Sequence, residues 1–209
     1  MDKEMKEHWN SIYASRQVCS LGWYETKATP SIDLLAKCKI DAADPILDVG
    51  AGASMFIDYL VGEGYTNIFA ADISEKALGK LKDRLGPEKA KKVKWIIDDI
   101  TQPKIINSLR DIALWHDRAM LHFLLEPQQQ QAYLYTLKKV TMKGGYVIIA
   151  AFSLKGMNQC SGLTVKNYDQ NMLADFLGDE FRLLEFFDYL YQMPSGNTRP
   201  YIYTLFQRE

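Results

Sequence analysis

The sequence predicts an α/β fold: a Rossmann-like, mostly parallel seven-stranded sheet with helices on both faces and an antiparallel C-terminal hairpin. Two observations carry this prediction. From residue 45 onward, short apolar runs alternate with longer amphipathic ones, which is the pattern of strands joined by helices. Near the C-terminus, two long apolar segments stand on either side of a turn-rich stretch with no helix between them.

Each predicted element follows from its own local signals. Ser54 stands just after a glycine turn, where it can cap the first core helix. Ser74 is placed as the N-cap of the next helix, with Glu75 in its first turn. Pro127 occupies the first turn of a later helix, a position that tolerates proline. In chain order we expect strands at 45–50, 67–72, 93–98, 112–116, 143–152, 181–191 and 199–207, and helices at 54–64, 74–86, 127–140 and 171–178.

Length, composition and charge limit the kind of protein this chain can be. Its 209 residues are enough for a single domain with a full core sheet, which we expect to span residues 1–209. The hydrophobic fraction of 47% is that of an ordinary globular protein. The 25 basic and 26 acidic side chains give a formal net charge of −1. We therefore expect no broad basic surface and no nucleic-acid partner.

The cysteines and the N-terminus argue against a secreted or membrane protein. Cys19, Cys38 and Cys160 are odd in number and widely spaced, with no CxxC pair or Cys/His cluster. We therefore expect reduced thiols, no disulfide framework and no metal site. The N-terminus is charged and lacks the apolar region of a secretory signal, and the apolar run 146–152 is too short to span a bilayer. These features predict a cytoplasmic protein without a membrane partner.

A glycine turn follows the first predicted strand, in the segment ILDVGAGAS. Asp48 stands two residues before Gly50, and Gly52 follows. A dinucleotide site would read GxGxxG, but Met55 occupies the third glycine position, and the charge of Asp48 would repel a pyrophosphate. A dinucleotide-dependent dehydrogenase is therefore the weaker hypothesis. A cationic ligand reverses the argument, because the acid attracts positive charge and a bare glycine backbone permits close approach.

This segment resembles the first motif of class I S-adenosylmethionine-dependent methyltransferases, in which an acid stands two residues before a GxGxG turn. Ser54 departs from that motif, since the last glycine often lies there. The resemblance implies S-adenosylmethionine as the cofactor and S-adenosylhomocysteine as the product. The cofactor contacts that it implies in this segment are Asp48, Gly50, Ala51 and Gly52.

A second acid fits the same cofactor independently. Asp72 ends the second predicted strand, 20 residues after Gly52, where a carboxylate can accept two hydrogen bonds from a ribose diol. We expect Ile73, its neighbour, to contact the cofactor as well. The alternative is that Asp72 is a turn residue leading into Ser74.

A pair of acids follows the third predicted strand. The resemblance implies that one of them accepts from the adenine amino group, while the backbone N–H of the next residue meets the ring. The spacing gives these roles to Asp99 and Ile100, with Asp98 as the rival. Solvated loop charges or helix caps are the other possibility for two adjacent acids.

The fourth strand and its exit carry a narrower resemblance. The run WHDRA around Arg118 resembles the WDRG segment of the thiopurine methyltransferase-like branch. The run DRAxxHFL, which contains His122, resembles a segment of small bacterial methyltransferases. We expect His122 to lie one turn into a helix. In this branch the arginine helps to hold the methionine carboxylate of the cofactor; an ion pair with Asp117 is the alternative. The branch also folds an aromatic arm over the cofactor, to which Trp9 and Trp23 are similar in placement. Packing on a core surface would explain both tryptophans as well.

The acceptor side has fewer signals. The stretch 153–168 resembles the CSGLxVxxY run of the bacterial relatives, in the region where class I members build the acceptor pocket. We expect substrate contacts from His116, Cys160 and Arg199. His116 and Asp117 are weak candidates for proton transfer, and no firm catalytic residue is predicted, because a thiolate or a neutral amine accepts a methyl group without a base.

These resemblances imply an enzyme that transfers a methyl group by in-line displacement to sulfur or nitrogen of a small-molecule acceptor, as a monomer or a dimer. A protein lysine methyltransferase and a non-catalytic S-adenosylmethionine-binding module are the alternatives. Within the domain we expect an N-terminal helical and aromatic arm at 1–40, a cofactor-binding core at 44–152, and a substrate-side loop, helix and final strands at 153–209.

Overall fold

A seven-stranded sheet forms the centre of the computed structural model, which describes residues 2–209. Its strands are β1 Ile46–Val49, β2 Ile68–Asp72, β3 Val93–Ile97, β4 Ile112–Arg118, β5 Thr141–Phe152, β8 Phe181–Gln192 and β9 Thr198–Arg208, while β6 Gln159–Cys160 and β7 Leu163–Thr164 pair separately. The order across the sheet is β3-β2-β1-β4-β5-β9-β8. Strands β1 to β5 run parallel to one another, and β9 is antiparallel to both of its neighbours, β5 and β8. This arrangement confirms the predicted fold class.

Six α-helices accompany the sheet in the described chain. They are α1 Lys3–Ser15, α2 Thr29–Leu35, α3 Met55–Gly62, α4 Glu75–Ala90, α5 Pro127–Val140 and α6 Gln170–Leu177. Short 3-10 helices occupy Val18–Ser20, Ile106–Ser108 and Leu121–Phe123. No helix among residues 2–209 combines the length and apolar character that crossing a bilayer requires.

The core lies in two layers because successive strand residues face opposite sides of the sheet. In β1, Ile46 belongs to the cluster on one face, where α3 and α4 contribute Leu60 and Leu81. Leu47 belongs to the cluster on the other face, where α5 contributes Leu137 and α6 packs beside it. Helices therefore cover both faces, as a largely parallel sheet requires.

Local signals placed the helix starts correctly. The Ser54 hydroxyl accepts a hydrogen bond from the Phe56 N–H at 3.1 Å, and the Ser74 hydroxyl accepts one from the Ala77 N–H at 3.1 Å. The prediction that His122 lies inside an α-helix was wrong. His122 lies on the short 3-10 helix Leu121–Phe123, which is only one turn long.

Candidate functional site

A cleft opens at the carboxyl ends of β1, β2 and β4, at the point where β1 has β2 on one side and β4 on the other. Ligands bind at this point in open α/β sheets. Helix α1 and the segment 18–28 form one wall of the cleft. Three of the predicted site residues do not line it: Gly52, Asp117 and Arg199. The predicted residues that do line it are Trp9, Trp23, Asp48, Gly50, Ala51, Asp72, Ile73, Asp99, Ile100, His116, Arg118 and Cys160.

The glycine turn needs both of its glycines. Gly50 and Gly52 have φ angles of +65° and +55°, in the left-handed region that other residues rarely adopt. A Cβ on Gly50 would lie 2.6 Å from the side chain of Met120, and a Cβ on Gly52 would collide with the Tyr13 hydroxyl. Gly52 therefore packs under α1 and does not face the cleft.

Asp48 and His116 form a buried pair on neighbouring strands. Asp48 lies opposite His116 in the β1–β4 register, and its Oδ1 accepts a hydrogen bond from His116 Nδ1 at 2.7 Å. The Nε2 of His116 lies 2.8 Å from the Ser31 hydroxyl, and the ring packs against Phe56 at 4.1 Å between centroids. Both ring nitrogens are thus engaged. The other carboxylate oxygen of Asp48, Oδ2, is buried and has no hydrogen-bond partner among residues 2–209.

Asp72 organises the backbone around the turn. Its Oδ2 accepts from the Gly52 N–H at 2.8 Å and its Oδ1 from the Ser74 N–H at 2.7 Å. Burial raises the pKa of Asp72 to about 6, against the lowering effect of these hydrogen bonds. Because each carboxylate oxygen has two lone pairs, both retain capacity for a ligand hydroxyl.

The two acids after β3 have different surroundings. Asp98 accepts hydrogen bonds from the backbone N–H groups of residues 104–106 at 2.7–3.2 Å, so it fixes that loop. Asp99 Oδ1 accepts from the backbone and hydroxyl of Thr101 at 2.9 and 2.7 Å, and Oδ2 accepts from the Asp2 N–H at 2.7 Å. Ile100 is buried and lines the cleft beside it.

Arg118 pairs with a residue that sequence reasoning missed. Its Nε lies 3.2 Å from a carboxylate oxygen of Glu25 and donates to the Tyr203 hydroxyl at 3.0 Å, while Nη1 donates to the Trp23 carbonyl at 3.0 Å. Nη2 is buried and finds no partner in the described part of the chain. Burial raises the pKa of Glu25, and the charge of Arg118 opposes this. The alternative of an ion pair with Asp117 was wrong, since Arg118 pairs with Glu25.

Asp117 is fully buried outside the cleft. Its carboxylate accepts hydrogen bonds from the N–H groups of Met120 and Leu121 at 2.9 and 3.1 Å and from the Tyr133 hydroxyl at 2.9 Å. Burial raises its pKa to about 7. The expectation that Asp117 lies near the reacting centre is therefore corrected: its side chain fixes the turn after β4.

The N-terminal arm brings aromatic rings to the cleft. Trp9 contacts Trp23 and Phe123 edge to face, at centroid distances of 5.7 and 5.1 Å. The indole N–H of Trp23 donates to the Tyr13 hydroxyl at 3.1 Å. The two tryptophans therefore pack on each other and line the cleft at the same time. Glu25 and Ser31 were not anticipated, although Glu25 follows directly on the aromatic pair at 23–24.

Of the three residues predicted to contact the acceptor, His116 and Cys160 line the cleft and Arg199 does not. Cys160 is buried and lines the cleft. Arg199 lies behind it, with Nη1 3.4 Å from the Cys160 sulfur. The expected direct contact of Arg199 with the cleft is thus corrected to a position behind its wall.

The unpartnered oxygen of Asp48 beside a glycine turn suits a ligand with positive charge, and Asp72 and Asp99 offer further acceptors at the strand ends. A model of the family described as methyltransferase domain matches residues 46–145. A search of curated proteins returned no match.

Solved structures share the fold over nearly the whole chain. An S-adenosylmethionine-dependent methyltransferase from Anabaena variabilis has a TM-score of 0.78 at 14% identity, covering 98% of this chain and 93% of its own. The N-methyltransferase NodS from Bradyrhizobium japonicum, solved with S-adenosylhomocysteine, has a TM-score of 0.69 at 14% identity, covering 96% and 98%. The domain match over residues 46–145 and the shared fold make this chain similar to S-adenosylmethionine-dependent methyltransferases.

Proposed function

We propose that the chain transfers a methyl group from S-adenosylmethionine, bound in the cleft, to sulfur or nitrogen of a small-molecule acceptor. The enclosure of the cleft carries the choice of a small acceptor. Aromatic side chains of the arm and of the 121–123 turn wall the cleft, including Trp9, Trp23 and Phe123. Such an enclosed aromatic pocket suits a small acceptor better than the lysine of a folded protein.

We assign the cofactor contacts from the polar atoms that remain free. The unpartnered Oδ2 of Asp48 is suited to the ammonium group of the cofactor. Asp72 would accept from the ribose hydroxyls, and Asp99 from the adenine amino group, in place of its present donor, the Asp2 N–H. The buried, unpartnered Nη2 of Arg118 is suited to the methionine carboxylate.

When bound, S-adenosylmethionine supplies a methyl group on a positively charged sulfur. The work of the chain is then to orient the acceptor and to exclude water, effects that together contribute up to about 7–11 kcal/mol. Neither His116, whose ring nitrogens are both engaged, nor Asp117, which lies outside the cleft, is assigned as a base. A thiolate or a neutral amine would react without one.

The test combines two measurements on the full chain. Isothermal titration with S-adenosylhomocysteine measures binding, and a methyl-release assay with S-adenosylmethionine follows turnover on thiols, amines and a lysine-bearing protein. We expect binding, and turnover on a small thiol or amine. Turnover only on the lysine-bearing protein would favour a protein methyltransferase, and binding without turnover on any acceptor would favour a sensor. Affinity for NAD that S-adenosylhomocysteine cannot displace would overturn the whole assignment.

A further inference from the structure

Within residues 2–209, the guanidinium group of Arg199 has no carboxylate partner. Nη1 contacts the sulfur of Cys160 at 3.4 Å, and the group lies over the ring of Phe152 at 5.4 Å. The Nη2 atom is near the backbone of Gly22, where an added Cβ would lie 3.2 Å from it. Its Nε is buried and has no acceptor. By contrast, Arg118 has the carboxylate of Glu25 at 3.2 Å. Arg199 as a whole is half-buried, but a buried donor atom such as its Nε normally has an acceptor.

Two neighbouring side chains also have buried donors without acceptors. The Tyr201 hydroxyl is fully buried and unpartnered, and so is Nε2 of His122. Burial lowers the pKa of His122 to about 3, with the charges of Arg118 and Arg199 adding to the effect, so the ring is neutral at pH 7. Because Nδ1 of His122 faces the Phe152 N–H at 3.4 Å, the ring hydrogen belongs on Nε2.

These groups surround one aromatic ring. The ring centroid of Phe152 is 4.5 Å from that of His122 and 5.0 Å from that of Tyr201, and the Arg199 guanidinium is 5.4 Å away. The cluster lies behind Cys160 and Phe123, which line the cleft. Unpartnered donors and a guanidinium charge around one ring suit an anion with several oxygen atoms, whereas a neutral apolar group would leave the donors unsatisfied.

We propose that the methyl acceptor carries an anionic group, a carboxylate or a phosphate, which binds to Arg199, Tyr201 and His122. The inference rests on the proposed function, because it names the class of acceptor for the same cleft. The cofactor's own carboxylate is the competing occupant. It is assigned to Arg118, which lines the cleft directly, whereas Arg199 lies behind the wall. Opening of the contact between Arg199 and Cys160 would admit the anion.

The test measures anion binding to the full chain saturated with S-adenosylhomocysteine. Sodium phosphate and sodium propionate are titrated separately at constant ionic strength, with sodium chloride as the reference. The variants are Arg199→Gln, which removes the charge, and Tyr201→Phe, which removes only the hydroxyl. Arg110→Gln is the control, because Arg110 is an exposed arginine that bonds only to backbone carbonyls of its own loop.

We expect one of the two anions to bind the wild-type complex, and the tighter one to name the group on the acceptor. Arg199→Gln should weaken that binding about tenfold or more, Tyr201→Phe should weaken it less, and Arg110→Gln should leave it unchanged. The affinity for S-adenosylhomocysteine should stay within twofold in all three. The inference is overturned if neither anion binds, if Arg199→Gln binds anions as the wild type does, or if that variant loses the nucleoside. A wild-type chain that fails to bind S-adenosylhomocysteine would instead refute the proposed function.

Discussion

Asp48 and Asp98 differ in whether their carboxylate oxygens are already hydrogen-bonded within the protein or remain available to a ligand. Asp98 directs both carboxylate oxygens to backbone N–H groups of one loop. Asp48 bonds to His116 through one oxygen and leaves the other buried without a partner. A buried carboxylate oxygen without a donor is costly, so a ligand that supplies one gains affinity.

Asp72 offers the most direct test of the cofactor site. We predict that Asp72→Asn binds S-adenosylhomocysteine about 10- to 100-fold more weakly, the 1.5–3 kcal/mol of hydrogen bonds to a charged group. Titration calorimetry measures the change. Asp188→Asn, at an exposed ion pair with Lys155, is the matched control. Equal affinity in a folded Asp72 variant would contradict the assigned ribose contact.

Asp117 should reveal itself through the pH dependence of stability. Its pKa is about 7 in the folded chain and about 3.8 when unfolded, so the folded state binds the proton more tightly. Its stabilising contribution is therefore complete below pH 4 and is lost as the pH rises to 7. We predict that the free energy of unfolding of wild type relative to Asp117→Asn falls between pH 4 and 7. Urea unfolding measures it, and a flat difference would contradict the prediction.

At the scale of elements, the glycine turn and α1 are fitted to each other. Tyr13 is the buried residue of α1, and its hydroxyl occupies the space where a Cβ of Gly52 would stand. The same hydroxyl accepts a hydrogen bond from Trp23, so one atom joins the turn, the helix and the aromatic wall. A substitution in the glycine turn should therefore also disturb the packing of α1 and of Trp23.

We predict that Gly52→Ala destabilises the chain by two separable effects. One is the left-handed backbone, which costs about 1 kcal/mol for a residue with a Cβ. The other is the collision with the Tyr13 hydroxyl, which Tyr13→Phe removes. A double-mutant cycle on unfolding free energies should show that Gly52→Ala costs less in the Tyr13→Phe background. If the two effects on the unfolding free energy were additive, the Tyr13 hydroxyl would move away from the new Cβ with no loss of stability.

At the scale of the whole molecule, local patterns predicted the sheet and most of the cleft. Helix caps such as Ser54 and the alternation of apolar runs depend only on residues that are close in sequence. The order of elements could therefore be predicted. The contacts of Ser31 with His116 and of Glu25 with Arg118 could not, because 85 and 93 positions separate the partners and periodicity carries no information on such pairs. That Asp98, and not Asp99, bonds to the backbone of residues 104–106 depends on the path of a loop, which the sequence does not give.

The arm should be the part of the molecule that responds to the cofactor. Helix α1 is joined to the rest through the buried Tyr13, the edge-to-face contacts of Trp9 and a few polar contacts, among them Asn10 with the Ser74 hydroxyl at 2.8 Å. Segments with little buried surface open locally at low free energy. Since α1 lines the cleft, a bound nucleoside adds contacts beneath it.

We therefore predict that saturating S-adenosylhomocysteine slows hydrogen exchange in α1 and in the segment 18–28 by about tenfold or more, because binding to the closed arm adds to its opening free energy. Exchange in β5, which is paired with β4 on one side and β9 on the other, serves as the internal reference. Mass spectrometry of peptic peptides measures both regions. If the nucleoside binds while exchange in α1 stays at its free rate, the helix does not close on the cofactor, and the aromatic wall cannot be what excludes water during methyl transfer.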